Sequence, residues 1–342
     1  MSRQKLGVIF VNLGTPESPS AGSVRQFLRE FLSDRRVVDV PKLPWKILLN
    51  TIILPLRSPK VARAYRSIWS ERGSPLRSFT QDLAEGLRLP CEDGPLADSR
   101  NQTDRADENS PGVSMVTTWA MTYGKPTVQS RIDEFGQQGV SKILVIPLYP
   151  QFSSSTTGAV YDRLADITRA SRNIPDIRCV HNYCDHPLYI EALAISVTEH
   201  WQEFGRNERL LMSFHGLPES YSVKGDPYIE QCNKTASLLA DRLKLGDDKW
   251  AISFQSRFGP ANWVKPYTNE VLVDWAQNGI KNIDVICPSF SVDCLETLEE
   301  VGQQYVKLFV QSGGMSMSLV PCLNSSPSQI KLMEKLIFEH SR

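Results

Sequence analysis

One segment of this chain occurs twice. Residues 125–146 read KPTVQSRIDEFGQQGVSKILVI, and residues 265–286 read KPYTNEVLVDWAQNGIKNIDVI. At a constant offset of 140, with no gap, seven of the 22 positions are identical: Lys125, Pro126, Gln137, Gly139, Ile143, Val145 and Ile146. Ile132/Leu272 and Phe135/Trp275 are similar pairs. Each copy reads as a helix closed by a glycine, Gly139 or Gly279, and followed by a buried strand. Glycine after the last turn supplies the left-handed backbone that lets the chain reverse. Two related units are therefore the expected architecture. A weaker echo sets Val8–Pro16 (VIFVNLGTP) against Leu210–Pro218 (LLMSFHGLP) at an offset of 202, so the first half carries 62 additional residues.

Two segments account for the excess. Residues 33–78 contain an apolar stretch, LPWKILLNTIILPL (Leu43–Leu56), interrupted by Lys46, Asn50 and two prolines. It is too short to span a bilayer, and it can either pack on a core or form an exposed apolar lip. Residues 91–112 are polar, acidic and rich in turn formers, which reads as a surface insertion. The other strand candidates are Met115–Met121, Lys142–Tyr149, Ile177–His181, Trp250–Gln255, Ile283–Pro288 and Met317–Pro321, with helical patterns between them. Apolar strands alternating with helices imply an α/β fold with parallel sheets covered on both faces. Ligands of such sheets bind beyond the carboxyl ends of the strands.

Composition narrows the class of partner. Lys plus Arg and Asp plus Glu both number 38, so the net charge is zero, which argues against general affinity for nucleic acid. The seven cysteines contain no C-x-x-C, so neither a disulfide framework nor a structural zinc site is expected. The opening residues show no signal-peptide pattern, and a cytoplasmic protein is expected. No G-x-G-x-x-G, phosphate-binding loop or G-x-S-x-G elbow occurs. Cys179, His181, Cys184 and His186 are spaced like a metal knuckle only superficially, since strand alternation sends neighbours to opposite faces.

The strand ends hold the reactive groups. His215 follows a buried strand and precedes a Gly-x-Pro turn. On the residues alone it is either a ligand or base, or a structural histidine. The run Ser153–Thr157 suits helix capping. Beyond Ile283–Pro288, helical spacing puts Asp293, Glu296 and Glu300 on one face and Leu295, Leu298, Gly302 and Tyr305 on the packed face. The acidic row is either a solvated first turn favoured by the helix dipole, or the lining of a site for a cation and protons.

Nine motifs are more specific. They are NLGTP (12–16), FLSDRRVV (31–38), LPLRSPKVARAY (54–65), GSPL (73–76), YPQFSSSTTG (149–158), SFHGLP (213–218), GDPY (225–228), FQSRFGP with Trp263 (254–263) and DCLETLEE (293–300). Together they resemble the ferrochelatase family from about residue 5 to 330. That resemblance implies two similar Rossmann-like, chelatase-type lobes, each a parallel four-stranded sheet flanked by helices, with a cleft between them. The expected N-terminal lobe is 1–170, with an apolar lip at 41–58 and the insertion 91–112, completed by a C-terminal helix at 322–342. The expected C-terminal lobe is 171–321.

The implied activity is insertion of Fe²⁺ into protoporphyrin IX, the last step of haem synthesis. Carried over residue by residue, the resemblance makes His215 and Glu296 the catalytic and metal-handling pair. It places Asp293 and Glu300 on a proton or cation path, and Leu13, Arg57, Tyr65, Tyr149 and Trp263 against the porphyrin. The lip implies peripheral contact with the inner face of the cell membrane. Leu13 stands where related Gram-positive coproporphyrin enzymes have Tyr, which favours protoporphyrin. Ser154 stands where animal members have a cluster cysteine, so no permanently bound cofactor and no iron–sulfur cluster are expected. Cys294 replaces a common His. A chelatase for coproporphyrin iron or cobalt, and a non-catalytic tetrapyrrole-binding protein, are the competing classes.

Overall fold

A computed structural model describes residues 5–87 and 114–341. The insertion expected at 91–112 lies outside the described residues. The first sheet takes β1 (Lys5–Asn12), β2 (Ser114–Met121), β3 (Lys142–Pro147) and β4 (Asp176–Cys179) in the order β2-β1-β3-β4. The second takes β5 (Arg209–His215), β6 (Trp250–Gln255), β7 (Asn282–Ile286) and β8 (Ser316–Leu319) in the order β6-β5-β7-β8. All neighbours are parallel, so the two sheets share one topology. The central strands are mostly apolar: Val8, Ile9, Phe10, Val11, Leu210, Leu211, Met212 and Phe214 are all buried. Burial on both faces requires such continuous runs.

Around the first sheet lie α1 (Ala21–Ser33), α2 (Lys42–Leu48), α3 (Leu54–Ile68), α4 (Pro75–Gly86), α5 (Val128–Gln137) and α6 (Thr157–Ala170). Around the second lie α7 (Pro187–Phe204), α8 (Glu219–Val223), α9 (Tyr228–Arg242), α10 (Thr268–Gln277) and α11 (Val306–Gln311). The last helix is α12 (Pro327–His340). The sequence repeat coincides with structure, since an offset of 140 maps α5 onto α10 residue for residue. Gly139 and Gly279 both have positive φ, +71° and +90°, and both Lys-Pro bonds are cis. After each cis bond the proline carbonyl accepts from the neighbouring strand, from Met121 N at 2.7 Å and from Phe254 N at 2.9 Å.

The described residues divide into two units. One runs to Leu148 and includes Ser154–His181 and the residues from Ser325 onward; the other comprises Tyr149–Ser153 and Asn182–Asn324. The boundary expected at 170 therefore falls at 181, because β4 completes the first sheet by pairing with β3. Residues 322–324 go with the second unit, where Asn324 bonds Asp293. Tyr149–Ser153 also joins it through donors and acceptors on and around α9. Gln151 Nε2 donates to Thr235 Oγ1 (3.0 Å), Phe152 N to Gln231 Oε1 (2.7 Å) and Ser153 Oγ to Asp226 Oδ2 (3.0 Å).

The 41–58 segment has two faces. A π-helical turn, Leu49–Ile53, joins α2 to α3. Leu49 and Leu54 are fully buried against Leu32 of α1, and Trp45 Nε1 donates to Leu32 O at 2.6 Å. Leu43 and Leu56 are 71% and 72% exposed, and Ile47, Leu48 and Ile52 are exposed with them. The extra residue in a π-turn shifts the helical phase, so packed and exposed apolar residues occur in one short stretch. No helix among the described residues is long and apolar enough to cross a membrane. Leu54→Ala opens a cavity and is expected to cost about 2–5 kcal/mol in chemical denaturation. The exposed neighbour behaves differently: Leu56→Ser is expected to change stability by about 0.5 kcal/mol or less.

Candidate functional site

His215 is the last residue of β5 and pairs with Gln255, the last residue of β6. Its backbone N–H donates to Ser289 Oγ at 3.0 Å, and its Nδ1 lies 2.7 Å from Gly216 O. A carbonyl only accepts, so Nδ1 carries the proton of the neutral ring and Nε2 keeps its lone pair. The half-buried side chain is thereby set up as a ligand or proton acceptor at one defined nitrogen. Phe290 flanks the ring, with centroids 6.2 Å apart. Gly216 is obligatory here. A Cβ on it would lie 2.7 Å from Gln255 O and 3.0 Å from the Trp263 ring. Trp263 is itself buried, with Nε1 donating to Phe258 O at 2.9 Å.

The acidic residues lie on or just before a ten-residue π-helix, Glu296–Tyr305. Its wider turn brings i and i+5 together: Tyr305 O–H donates to Glu300 Oε1 at 2.8 Å, and Gln304 Nε2 donates to both Glu299 oxygens. The face pattern expected from 3.6-residue turns is therefore corrected. The buried positions of this helix are Thr297 and Val301, while Leu295, Leu298, Gly302 and Tyr305 are only partly buried. Ser256 completes the cradle of Glu300, donating from N to Oε1 (3.0 Å) and from Oγ to Oε2 (2.5 Å). Its φ of +62° turns both donors inward. Burial, with Glu300 beside it, pushes the Tyr305 phenol well up, which keeps it a donor.

Glu296 is half-buried, and its main-chain carbonyl accepts from Gln255 Nε2 at 3.0 Å. The adjacent Cys294 is buried. Desolvation first, then the Glu296 charge, holds its thiol well above the ordinary range. Asp293 departs from the expected row. It is 4% exposed, and its carboxylate is committed. Oδ1 accepts from Thr297 Oγ1 (2.9 Å) and Cys322 N (3.4 Å), and Oδ2 accepts from Asn324 Nδ2 (2.8 Å). Asp293 clamps the start of the π-helix, and Glu300 is held in the same way by Ser256 and Tyr305.

The second unit thus brings together His215, Trp263, Glu296 and Glu300, and Tyr149 belongs to the same unit. Leu13, Arg57 and Tyr65 belong to the first. Leu13 follows Asn12, whose side chain is fixed by Leu13 N (2.8 Å) and Thr80 Oγ1 (3.0 Å). Burial lowers the Arg57 guanidinium from its usual value. Tyr65 is buried edge-on to Trp69, with centroids 6.0 Å apart. Among the described residues no three His, Cys, Asp or Glu side chains form a metal cage, the Cys179–His186 stretch included.

Sequence reasoning missed Gln255, Ser256, Ser289 and Gly216 as site residues, although Gln255 and Ser256 lie inside the FQSRFGP motif. Gly216→Ala is expected to cost about 1–3 kcal/mol from overpacking and to lower turnover with it. Gly136→Ala, where a Cβ meets nothing within 4 Å, is expected to be neutral or stabilising by up to about 1 kcal/mol. Paired denaturation curves check both.

Comparison with known proteins places the chain in a family. The profile of the Ferrochelatase family matches residues 5–341. The ferrochelatase of Nitrosococcus oceani is 45% identical, over 98% of this chain and 87% of that protein. The ferrochelatase of Vibrio cholerae is 45% identical, over 98% of both chains. In fold the chain is similar to SirB from Bacillus subtilis with Fe³⁺ (TM-score 0.53, 12% identity, 98% of this chain and 95% of that one). It is also similar to CbiX, the terminal enzyme for biosynthesis of siroheme in denitrifying bacteria (TM-score 0.50, 14% identity, 97% and 98%). With nearly its whole length matched by one profile and by close relatives, this chain belongs to the ferrochelatase family.

Proposed function

We propose that this ferrochelatase inserts Fe²⁺ into protoporphyrin IX, forming protohaem and releasing the two pyrrole protons. The observation that carries the site assignment is the contact of His215 Nδ1 with the Gly216 carbonyl. With Nδ1–H held by Gly216 O at 2.7 Å, Nε2 is the nitrogen available to iron or to a pyrrole proton. Porphyrin carries two N–H groups and Fe²⁺ two charges, so two protons must leave as the metal enters. His215 accepts or hands over one at Nε2. Glu296 and Glu300 receive cation or proton on the acidic side, and imidazole plus carboxylate suits a ferrous ion that must later depart. Iron is a substrate in this scheme. We assign Leu13, Tyr65, Tyr149 and Trp263 to the apolar macrocycle and Arg57 to a propionate, which a guanidinium pairs well.

The exposed Leu43, Ile47, Leu48, Ile52 and Leu56, together with exposed Lys42, Lys46 and Lys60, support peripheral contact with an anionic membrane. Apolar burial and lysine attraction reinforce each other at such a surface. Protoporphyrin is poorly soluble in water, which makes a lipid surface a sensible place to receive it.

Two experiments follow. Purified protein, Fe²⁺ and protoporphyrin are mixed anaerobically and the loss of porphyrin fluorescence is followed, with coproporphyrin in parallel. Protoporphyrin is expected to be metallated faster. His215→Ala is expected to lower turnover by about 100-fold or more while still binding porphyrin, and near wild-type turnover contradicts the assignment. In vesicle sedimentation, the Leu43→Ser, Ile47→Ser, Leu56→Ser triple variant is expected to lose binding to anionic vesicles. Unchanged sedimentation removes the membrane proposal.

A further inference from the structure

One enclosed side chain of the second unit bonds β5, the residue after β7 and the start of the π-helix. Gln255 is 1% exposed. Its Oε1 accepts from Ser213 Oγ of β5 at 2.7 Å and from Cys287 Sγ, just beyond β7, at 3.6 Å. Its Nε2 donates to the main-chain carbonyl of Glu296 at 3.0 Å. Its own carbonyl accepts the Gly216 amide at 2.8 Å. The orientation of the amide is dictated by chemistry: the Glu296 carbonyl can only accept, so Nε2 must face it, and Oε1 must face the two donors.

We propose that Gln255 is a positioning residue that sets the spacing between His215 and Glu296, and so tunes the enzyme's handling of the metal rather than of the porphyrin. The proposal rests on the reading of His215 and Glu296 as the iron-handling pair. His215 has anchors of its own, in Ser289 and in the Gly216 carbonyl. Glu296 opens the π-helix with no capping side chain from its own segment. The Gln255 side-chain amide bonds the Glu296 main chain directly, while the main-chain carbonyl of the same residue accepts from Gly216 in the turn that holds the imidazole. Removing Nε2 takes from the Glu296 carbonyl its donor on β6, leaving the helix start to the Asp293–Thr297 clamp, while the histidine end keeps its own anchors. A ligand held loosely by its supporting shell loses metal affinity first.

The test is a comparison of KM values in the intact enzyme. Gln255→Leu keeps a similar volume and removes both polar atoms. It is expected to raise KM for Fe²⁺ about tenfold or more, the scale of supporting-shell losses at metal sites, with KM for protoporphyrin within about twofold. Ser213→Ala, which removes only one partner of the amide, is expected to give the same split at about threefold. It decides the question if Gln255→Leu does not fold. Equal shifts in both KM values, or no shift in either, overturn the proposal. His215→Ala and Glu296→Gln are measured alongside. Full turnover in both removes the underlying site assignment. Loss of turnover in them, with an unsplit Gln255→Leu, removes only the role of Gln255.

Discussion

The Gly216 amide donates to the Gln255 carbonyl at 2.8 Å, and the chemistry at the acidic end of the second sheet depends on how close that bond brings two backbones. Only glycine tolerates the approach, since a Cβ would meet the same carbonyl at 2.7 Å. The Gly216 carbonyl then fixes the imidazole of His215, and the Gln255 side chain reaches the start of the π-helix. A parallel sheet supplies the general condition, because all its carboxyl ends lie along one edge. The local bonds determine which of those ends carries a reactive group and in what orientation.

The same backbone constraint occurs in the first sheet with different chemistry. Gly14 follows β1 as Gly216 follows β5, and a Cβ on Gly14 would lie 1.9 Å from Tyr123 O. The residue before it is Leu13 in one copy and His215 in the other. At an offset of 140, Thr156 and Val160 stand where the second copy has Glu296 and Glu300. The helix there is α-helical in the first copy and π-helical in the second. Duplication explains why one scaffold appears twice. Substitution at a few strand ends explains why the imidazole and the paired carboxylates occur in only one of the copies.

The architecture was legible because it rests on local pattern. Apolar runs, the ungapped repeat and the glycines after each helix each report a short stretch of backbone, and they identified the paired sheets. His215 and Glu296 stand out as candidates because the motifs around them are short local strings. What could not be read depends on partners distant in sequence. Asp293 looks like one of three acids until Asn324 and Cys322 N are seen to occupy its carboxylate. Tyr305 belongs to a packed face at 3.6 residues per turn, yet bonds Glu300 across a π-turn. Tyr149–Ser153 follows the first sheet in the chain, yet its polar groups are satisfied by Gln231, Thr235 and Asp226. The 41–58 segment posed a choice between core and lip that the structure resolves as both, because one turn changes pitch.

The central claim is that iron is handled by His215 Nε2 and Glu296 at the strand ends of the second sheet. Iron-edge anomalous scattering from crystals soaked anaerobically with Fe²⁺ tests it most directly. The account predicts a peak within bonding distance of His215 Nε2, with Glu296 in the same coordination sphere. A peak confined to other side chains, with His215 and Glu296 unliganded, would contradict it.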